Sequence, residues 1–476
     1  MPTNPPRRGS TLRFAAGIIA AVVLITGLTL AFITADLKAE IKARRDRLHR
    51  AGIPMTLAEM APPPIPDDQN AAPLYQQAIG LLNSGHTVPV FVTVRSFVDR
   101  EPSGGRAQFR AQVTAIVARN RPALDLLREG ARLPHCRFPL DWNAADPFAL
   151  FGHQPWTVRD GAYQLLARAI IRKEHGDTPG AVADLRACLT ISSHLAEGAF
   201  VGTAWNSILV RNSALAVLQE LIESNALDVT TYRQLYDDLK EPDYRALCRR
   251  MLLTDHIFAM WCFDTAQHDP ARMRKELKPD TTYGRVVTAC YLSPVAGLVR
   301  MREEVEYLDR FERGLALFDQ PYRAAAGGHR RLEAEVSRAP TYQEISKLWA
   351  PVDFGSGMPV RRDSLLAWQG AIQVALALKA YHSKYGRYPG SLDALRAYPG
   401  GAWAAPEMRR SRIQGWKLPE DPFSGKAFGY RREGKGFMLY SWGPDLRDDQ
   451  GQSWEVRRRM TKTGIVLGDI VWHYRR

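Results

Sequence analysis

Residues 14–34 read FAAGIIAAVVLITGLTLAFIT and contain no charged side chain. A helix of about 20 apolar residues is long enough to cross the hydrocarbon core of a bilayer. A cleaved secretory signal has a shorter apolar region and a small-x-small cleavage site, whereas this run leads through Ala35 and Asp36 into a charged segment. A buried core helix of this length would carry a polar face. The run therefore predicts an uncleaved, single-pass transmembrane helix over residues 14–35.

Basic residues flank this run at both ends. The chain of 476 residues has 64 Lys and Arg against 50 Asp and Glu, a net charge of +14. Those beside the run are Arg7, Arg8 and Arg13 on one side and Lys38, Lys42, Arg44, Arg45, Arg47 and Arg50 on the other. Such clusters next to a membrane helix bind anionic headgroups. Membrane lipid is therefore an expected partner and nucleic acid is not, although binding of another polyanion stays open as an alternative.

Five segments outside the anchor differ in composition. The segments are a basic tail, a charged stalk with the proline-rich spacer APPPIP, a series of amphipathic helices, a linker rich in Pro and Gly, and a part with alternating strands. Their predicted limits are 1–13, 36–69, 70–349, 350–360 and 361–476. The predicted fold is mainly α, with a small C-terminal α+β domain that we expect to fold separately.

The most specific helical segment is LLARAIIRKEHGDTPGAVADLRACLTI, residues 165–191. Two amphipathic patterns flank a turn at Gly176 and Asp177, with the small Ala167 and Ala181 where two helices would cross closely. The segment resembles a tetratricopeptide hairpin, in which each helix buries a face that it could not bury alone. No second copy follows about 34 residues later. We therefore predict an array of helical hairpins, similar to an α-solenoid, and the resemblance implies a protein partner.

The sequence contains no H-E-x-x-H, G-x-S-x-G, P-loop or G-x-G-x-x-G motif. The most suggestive group combines carboxylates with imidazoles, which could set a general base or bind a metal: Asp255, His256, Asp264, His268 and Asp269. The surrounding MLLTDHIFAMWCF is apolar on most sides, which favours a buried structural histidine. His153 and Trp156 in FGHQPW are also interpreted as packing residues. We do not predict an enzyme, although a hydrolase with a dispersed site stays open as an alternative.

The five cysteines form no C-x-x-C pair and no spacing typical of metal ligands. Most of them lie in apolar helical patterns, which predicts buried free thiols: Cys136, Cys188, Cys248, Cys262 and Cys290. A disulfide stays open if the bulk of the chain lies outside the cytoplasm.

Three C-terminal segments carry a second resemblance: ALALKAYHSKYGRYPGSLDAL, LPEDPFSGKAFGY and LYSWGPDLRDDQG. They resemble the globular domain of the major pseudopilin of type II secretion systems over about the last 115 residues. The resemblance implies a long helix packed on a small antiparallel sheet. Phe14 stands where a prepilin has the glutamate after its peptidase site, so we do not expect assembly into a pilus. Further upstream, the segment from GIPMTLAEM to NAAPLY resembles large single-anchor bacterial membrane proteins of unassigned function.

In the pseudopilin family, the loop after an S-x-G-x-D signature holds a calcium ion. Here SWGPD, which ends at Asp445, leads into DLRDDQGQ. Calcium takes six to eight oxygen ligands, and carboxylates in a short loop suit it better than they suit zinc. We therefore expect a Ca²⁺ site formed by Asp445, Asp448 and Asp449. Arg447 departs from the family pattern, and a solvated acidic turn stays open as the alternative.

Orientation does not follow from the charges alone, because both flanks of the anchor are basic and the C-terminal flank is the more basic one. The N-terminal tail is short and has no acidic residue, and the module that the C-terminal part resembles lies outside the cytoplasm. We expect a cytoplasmic tail and a periplasmic bulk at a bacterial inner membrane. The predicted function is that of a membrane-anchored interaction or scaffold protein with an unidentified protein partner.

Overall fold

The computed structural model describes residues 8–83, 88–99, 106–147, 154–198, 201–224, 227–239, 242–277, 282–338, 357–396, 418–452 and 468–474. These residues are mainly helical, with a small antiparallel sheet near the C-terminus, as predicted. Contacts group the chain into two compact units. One contains Met1–Met55, Phe258–Arg313 and Arg338–Ala350, and the other contains Thr56–Ile257, Gly314–Ser337 and Pro351–Arg476. The domain limits predicted from the sequence stay predictions, and most of the linker lies outside the described residues.

The helices are numbered in chain order. Up to residue 224 they are α1 (Arg8–Arg50), α2 (Leu57–Met60), α3 (Ala72–Asn83), α4 (Val88–Asp99), α5 (Arg110–Arg119), α6 (Arg121–Gly130), α7 (Gln154–Glu174), α8 (Thr178–Glu197) and α9 (Val201–Ser224). They continue with α10 (Val229–Asp238), α11 (Tyr244–His268), α12 (Pro270–Leu277), α13 (Thr282–Tyr291), α14 (Gly297–Phe318), α15 (Tyr322–Ser337), α16 (Gly357–Tyr385) and α17 (Asp393–Arg396).

Helix α1 continues without a break from the apolar run into the charged segment behind it. The large side chains of its apolar part are exposed, and α1 is long and apolar enough to span a membrane. Beyond that part, one face of the helix is partly or fully covered, at Leu37, Ile41 and Leu48. Gly52, with φ of +79°, follows the end of the helix. The helical part of the predicted stalk is therefore packed against other residues.

Helices α7 and α8 form the hairpin predicted at residues 165–191. The turn contains Gly176 at φ +82°, a left-handed conformation that glycine adopts without strain. Asp177 caps α8 by accepting a hydrogen bond from a backbone N–H of the first turn at 2.9 Å. Arg168 donates two hydrogen bonds, at 2.9 and 2.8 Å, to the fully buried Asp184. Helix α9 packs on both helices, so the three share one core.

The C-terminal part contains α16 and the strands β1 (Gly429–Glu433), β2 (Gly436–Ser441) and β3 (Ile470–Tyr474). The strands are antiparallel in the order β1-β2-β3. Tyr440 pairs with Gly429 on one side and with Val471 on the other. The long helix that the resemblance implied and the strands predicted from the alternating pattern are thus present, and α16 begins at Gly357.

Helix α16 is buried on nearly all sides, because it packs against α9 and α10 as well as against β2. The fully buried Arg211 of α9 donates to Gln369 Oε1 of α16 at 3.0 and 3.1 Å. Gln373 Nε2 donates to the carbonyl oxygen of Tyr236 at 3.4 Å. A fragment of residues 361–476 would expose this face of α16. Helix α16 therefore contacts helices as well as the sheet, and the separate folding of residues 361–476 stays a prediction.

Candidate functional site: the acidic turn and the membrane-proximal ion pairs

Ser441 of the S-x-G-x-D signature contacts a buried carboxylate, Asp421, which lies in the segment LPEDPFSGKAFGY. Asp421 Oδ1 accepts hydrogen bonds from Ser441 Oγ at 2.6 Å and from the N–H of Phe423 at 3.2 Å. Its Oδ2 accepts from the N–H groups of Ser424 at 3.0 Å and Trp442 at 3.3 Å. Four donors satisfy the buried charge. Asp421 and Ser441 therefore hold the loop before β1 against the end of β2, which is a structural role.

The predicted calcium ligands lie in the turn that follows β2. Asp445 Oδ2 accepts a hydrogen bond from the N–H of Gly468 at 2.8 Å, and its Oδ1 accepts from the N–H of Arg447 at 3.2 Å. The exposed Asp448 accepts from the N–H of Gln450 at 3.0 Å. These two carboxylates thus help to shape the turn through backbone hydrogen bonds.

A fourth carboxylate, Asp469, adjoins the same turn and was not predicted. It is buried, and it accepts hydrogen bonds from the N–H groups of Gly451 at 2.7 Å and Asp449 at 3.3 Å. Burial raises the pKa of Asp469, and the neighbouring carboxylates of Asp449 and Asp448 act in the same direction. Asp469 interrupts the apolar segment GIVLGDIVWHY, and that interruption was the only signal in the sequence.

We call Asp445, Asp448, Asp449 and Asp469 the acidic turn. Within the described residues, no group of three or more His, Cys, Asp or Glu side chains is placed to hold a metal ion. The hydrogen bonds above show that backbone N–H groups offset part of the negative charge. The calcium site therefore stays a prediction.

The group of carboxylates and imidazoles around the end of α11 is divided between the two units, so its members are described separately. His256 is fully buried. The apolar sequence around Asp255 and His256 favoured a buried structural histidine. Asp264 accepts a hydrogen bond from an arginine of α1 at 2.9 Å. His268 Nδ1 lies 2.8 Å from the carbonyl oxygen of Asp264, and Asp269 caps α12 at 3.0 Å. Asp264, His268 and Asp269 thus make structural contacts.

His153 lies outside the described residues, whereas its neighbour Trp156 packs on an arginine. The guanidinium of Arg159 lies 5.2 Å from the ring centroid of Trp156 and 4.1 Å from that of Phe91. Arg159 also pairs with Asp160 at 2.6 Å. These contacts agree with the interpretation of Trp156 as a packing residue.

A histidine that the sequence did not single out, His194, is buried against Tyr75. Its Nε2 lies 3.0 Å from the carbonyl oxygen of Leu133, which can only accept a hydrogen bond. Nδ1 of the neutral ring therefore accepts from the hydroxyl of Tyr75 at 2.7 Å. Burial lowers the pKa of His194 to about 4. His194 is thus a neutral structural residue at physiological pH.

All five cysteines are described and carry free thiols, as predicted. Four are buried as expected, whereas Cys290 is exposed on α13, contrary to the expectation of a buried thiol. Burial raises the pKa of Cys136 and of Cys188, which keeps both thiols protonated.

No known protein family, curated protein or solved structure matches this chain. The resemblances to the pseudopilin domain and to the tetratricopeptide hairpin stay predictions, which depend on the residues quoted above.

The charged end of α1 is joined to α11 and α14 by four ion pairs within one compact unit. We call them the membrane-proximal ion pairs: Arg44–Asp309 at 3.4 Å, Arg45–Glu304 at 2.7 Å, Arg45–Asp264 at 2.9 Å and Arg47–Glu312 at 2.8 Å. Glu304 is buried, and its burial raises the pKa of its carboxyl group. Three of the arginines that the sequence assigned to lipid headgroups are therefore bound to carboxylates of the same chain.

Proposed function

We propose that this chain is a membrane-anchored interaction protein, a scaffold that holds its helices and its C-terminal α+β part next to a bacterial inner membrane. The observation that carries the proposal is the continuity of α1. The same helix contains the apolar run and, beyond it, the arginines of the membrane-proximal ion pairs. An α-helix is a stiff connection, unlike a flexible linker, so it fixes the distance between the bilayer and the helices that it contacts.

The roles of the polar residues support a scaffold rather than a hydrolase. Asp264, Asp269, Asp421 and His194 each make the structural hydrogen bonds described above. We propose that the bulk of the chain lies in the periplasm, where the C-terminal part acts as a secretion-pseudopilin-like module and a protein partner binds. The short basic tail and the signature residues around Asp421 support this orientation and this module.

The anchor is tested by extracting membranes with alkaline carbonate. The full chain is expected to stay in the membrane pellet, and Leu24→Asp combined with Ile25→Asp is expected to release it, because a charge at the centre of a span is costly. Val92→Asp on the exposed face of α4 is the matched control and should stay in the pellet. Equal retention of all three proteins would show that residues 14–34 do not anchor the chain.

Partner binding is tested separately by photocrosslinking in cells. A photoreactive residue at the exposed positions Leu81, Trp156 or Tyr385 should give a discrete adduct with a protein, and one at the buried Leu376 should not. Absence of adducts at all exposed positions would contradict the scaffold.

A further inference from the structure

Outside α1, the described residues expose few large apolar side chains, and three of these lie close together in sequence. They are Val295, 91% exposed, Val286, 58% exposed, and Val299, 37% exposed. Val295 lies in the short 3₁₀ turn Pro294–Ala296 between α13 and α14. Isolated exposed valines are ordinary on protein surfaces. Whether the three valines form a functional surface therefore depends on where this turn lies relative to the apolar run of α1.

The turn is held in place by buried polar contacts. The side chain of Arg300 is buried, and its Nη1 donates to the carbonyl oxygens of Ser293, at 3.0 Å, and Tyr291. The hydroxyl of Tyr291 donates to the carboxylate of Glu303. Tyr291 and its neighbour Leu292 are themselves buried. Val295 is thus held pointing outward by a well-packed turn.

The membrane-proximal ion pairs indicate at which level along the axis of α1 this turn lies. Arg44 pairs with Asp309, and Arg47, three residues further along α1, pairs with Glu312, three residues further along α14. The two helices therefore run in the same direction. At 1.5 Å per residue, the end of the apolar run at Thr34 lies about 16 Å before Arg45, and Val295 lies about 13 Å before Glu304. The turn is thus close to the level at which the apolar run ends.

The charge around the turn suits an anionic surface. Apart from the buried Arg300, residues 270–302 contain six Lys and Arg against two Asp and Glu. Among them, Arg274 and Lys275 on α12 are exposed, as is Arg302 on α14. Apolar side chains flanked by basic residues are typical of protein surfaces that lie in the boundary between headgroups and acyl chains.

We propose that Val286, Val295 and Val299, with the basic residues around them, form a second membrane contact. The valines enter the headgroup region of the leaflet nearest the soluble part, and the basic side chains bind anionic lipid. We call this surface the valine surface. The inference depends on the proposed anchoring by α1, because the level of the turn is measured from that helix. Two points of contact would restrict the tilt of α1 and hold this unit against the bilayer.

The native chain supplies a probe for this surface. Cys290 is the exposed cysteine, and it lies on α13 between Val286 and Val295. We suggest labelling it with an environment-sensitive fluorophore in the full chain, which is then placed in nanodiscs of phosphatidylcholine and phosphatidylglycerol. Lipids brominated near the headgroup serve as the quencher. The matched control is Cys290→Ser combined with Val92→Cys, which places the label on the exposed face of α4.

We expect brominated lipid to reduce the emission of the label at Cys290 and not that of the label at position 92. Val295→Asp should abolish this quenching while the chain stays in the disc, and omission of phosphatidylglycerol should weaken it.

Equal quenching of the labels at Cys290 and at position 92, or quenching unchanged by Val295→Asp, would overturn the second contact. Quenching unaffected by phosphatidylglycerol would overturn the binding of anionic lipid. A label shielded by a second copy of the chain, seen as a dimer by light scattering, would also overturn the proposal. A chain recovered free of lipid would instead refute the anchor, so the two failures are distinguishable.

Discussion

Arg45 Nε lies 2.7 Å from the Oε1 atom of Glu304, although 259 residues separate the two in sequence. Arg45 is on the helix that contains the apolar run, and Glu304 is a buried carboxylate of α14. This ion pair joins α1, the candidate membrane-spanning helix, to α14. A carboxylate removed from water needs a partner, so the contact restricts how α1 can leave its position on α14.

We expect Arg45→Ala to lower the free energy of unfolding by about 2 kcal/mol, less than for a fully buried pair because the arginine is partly exposed. The free energy of unfolding is measured by urea denaturation of the full chain in detergent. Lys42→Ala, which removes an exposed pair with Asp46, is the control and should change stability by less than about 0.5 kcal/mol. Adding Glu304→Gln to Arg45→Ala should restore part of the loss, because a neutral amide does not need the cation. Equal effects of the two alanine variants would contradict this role.

Asp421 is expected to be the most sensitive polar residue of the C-terminal part. Asp421→Ala leaves four donors without their acceptor and should lower the free energy of unfolding by about 3 kcal/mol, whereas Ser441→Ala removes one donor and should lower it by about 1 kcal/mol. Asp448→Ala, at an exposed position, serves as the control in the presence of chelator. An effect of Asp421→Ala no larger than that of Asp448→Ala would rule out this structural role.

His194 should make stability depend on pH. Because burial lowers its folded-state pKa to about 4, only the unfolded chain binds this proton between the unperturbed value of about 6.5 and pH 4. Acidification through this window therefore destabilises the fold, by about 3 kcal/mol in total. His194→Gln should have a shallower pH dependence there, and the exposed His175→Gln should keep that of the native chain. Identical pH profiles for all three would exclude His194 as the source.

Calcium is expected to stabilise the full chain if the acidic turn binds it. At a hundredfold excess over the dissociation constant, the stabilisation is about 2.7 kcal/mol. Asp445→Ala should remove the shift in a thermal melt, and Asp68→Ala, at an exposed position away from the turn, should not. Magnesium at the same concentration tests selectivity. Identical midpoints with calcium and with chelator would exclude a calcium site in the acidic turn.

The sequence predicted those parts of the structure that depend on local patterns. The apolar run of α1, the hairpin with Gly176 and Asp177, and the strand alternation around Tyr440 all follow from spacing and turn residues. The contacts that define the candidate sites connect distant parts of the chain. Asp469 reaches the acidic turn from beyond residues 453–467, and Arg45 finds its partner on α14. A single sequence does not indicate which charges pair across such distances.

The packing of α16 also depends on contacts between distant parts of the chain, which local sequence patterns do not indicate. The resemblance implied a long helix packed on the small sheet, whereas α16 also covers α9 and α10. Gln369 and Gln373 of α16 are both buried against these helices. Burial on a second side is visible only when the neighbouring helices are in place.

We propose that α1 spans the membrane and holds the bulk of the chain outside the cytoplasm. Protease is added to intact spheroplasts, and the products are detected with antibodies against an N-terminal tag and against the C-terminal part. We expect the C-terminal signal to disappear before lysis while a short tagged fragment, containing the tail and the apolar run, survives. Protection of the C-terminal part until the membrane is lysed would contradict it.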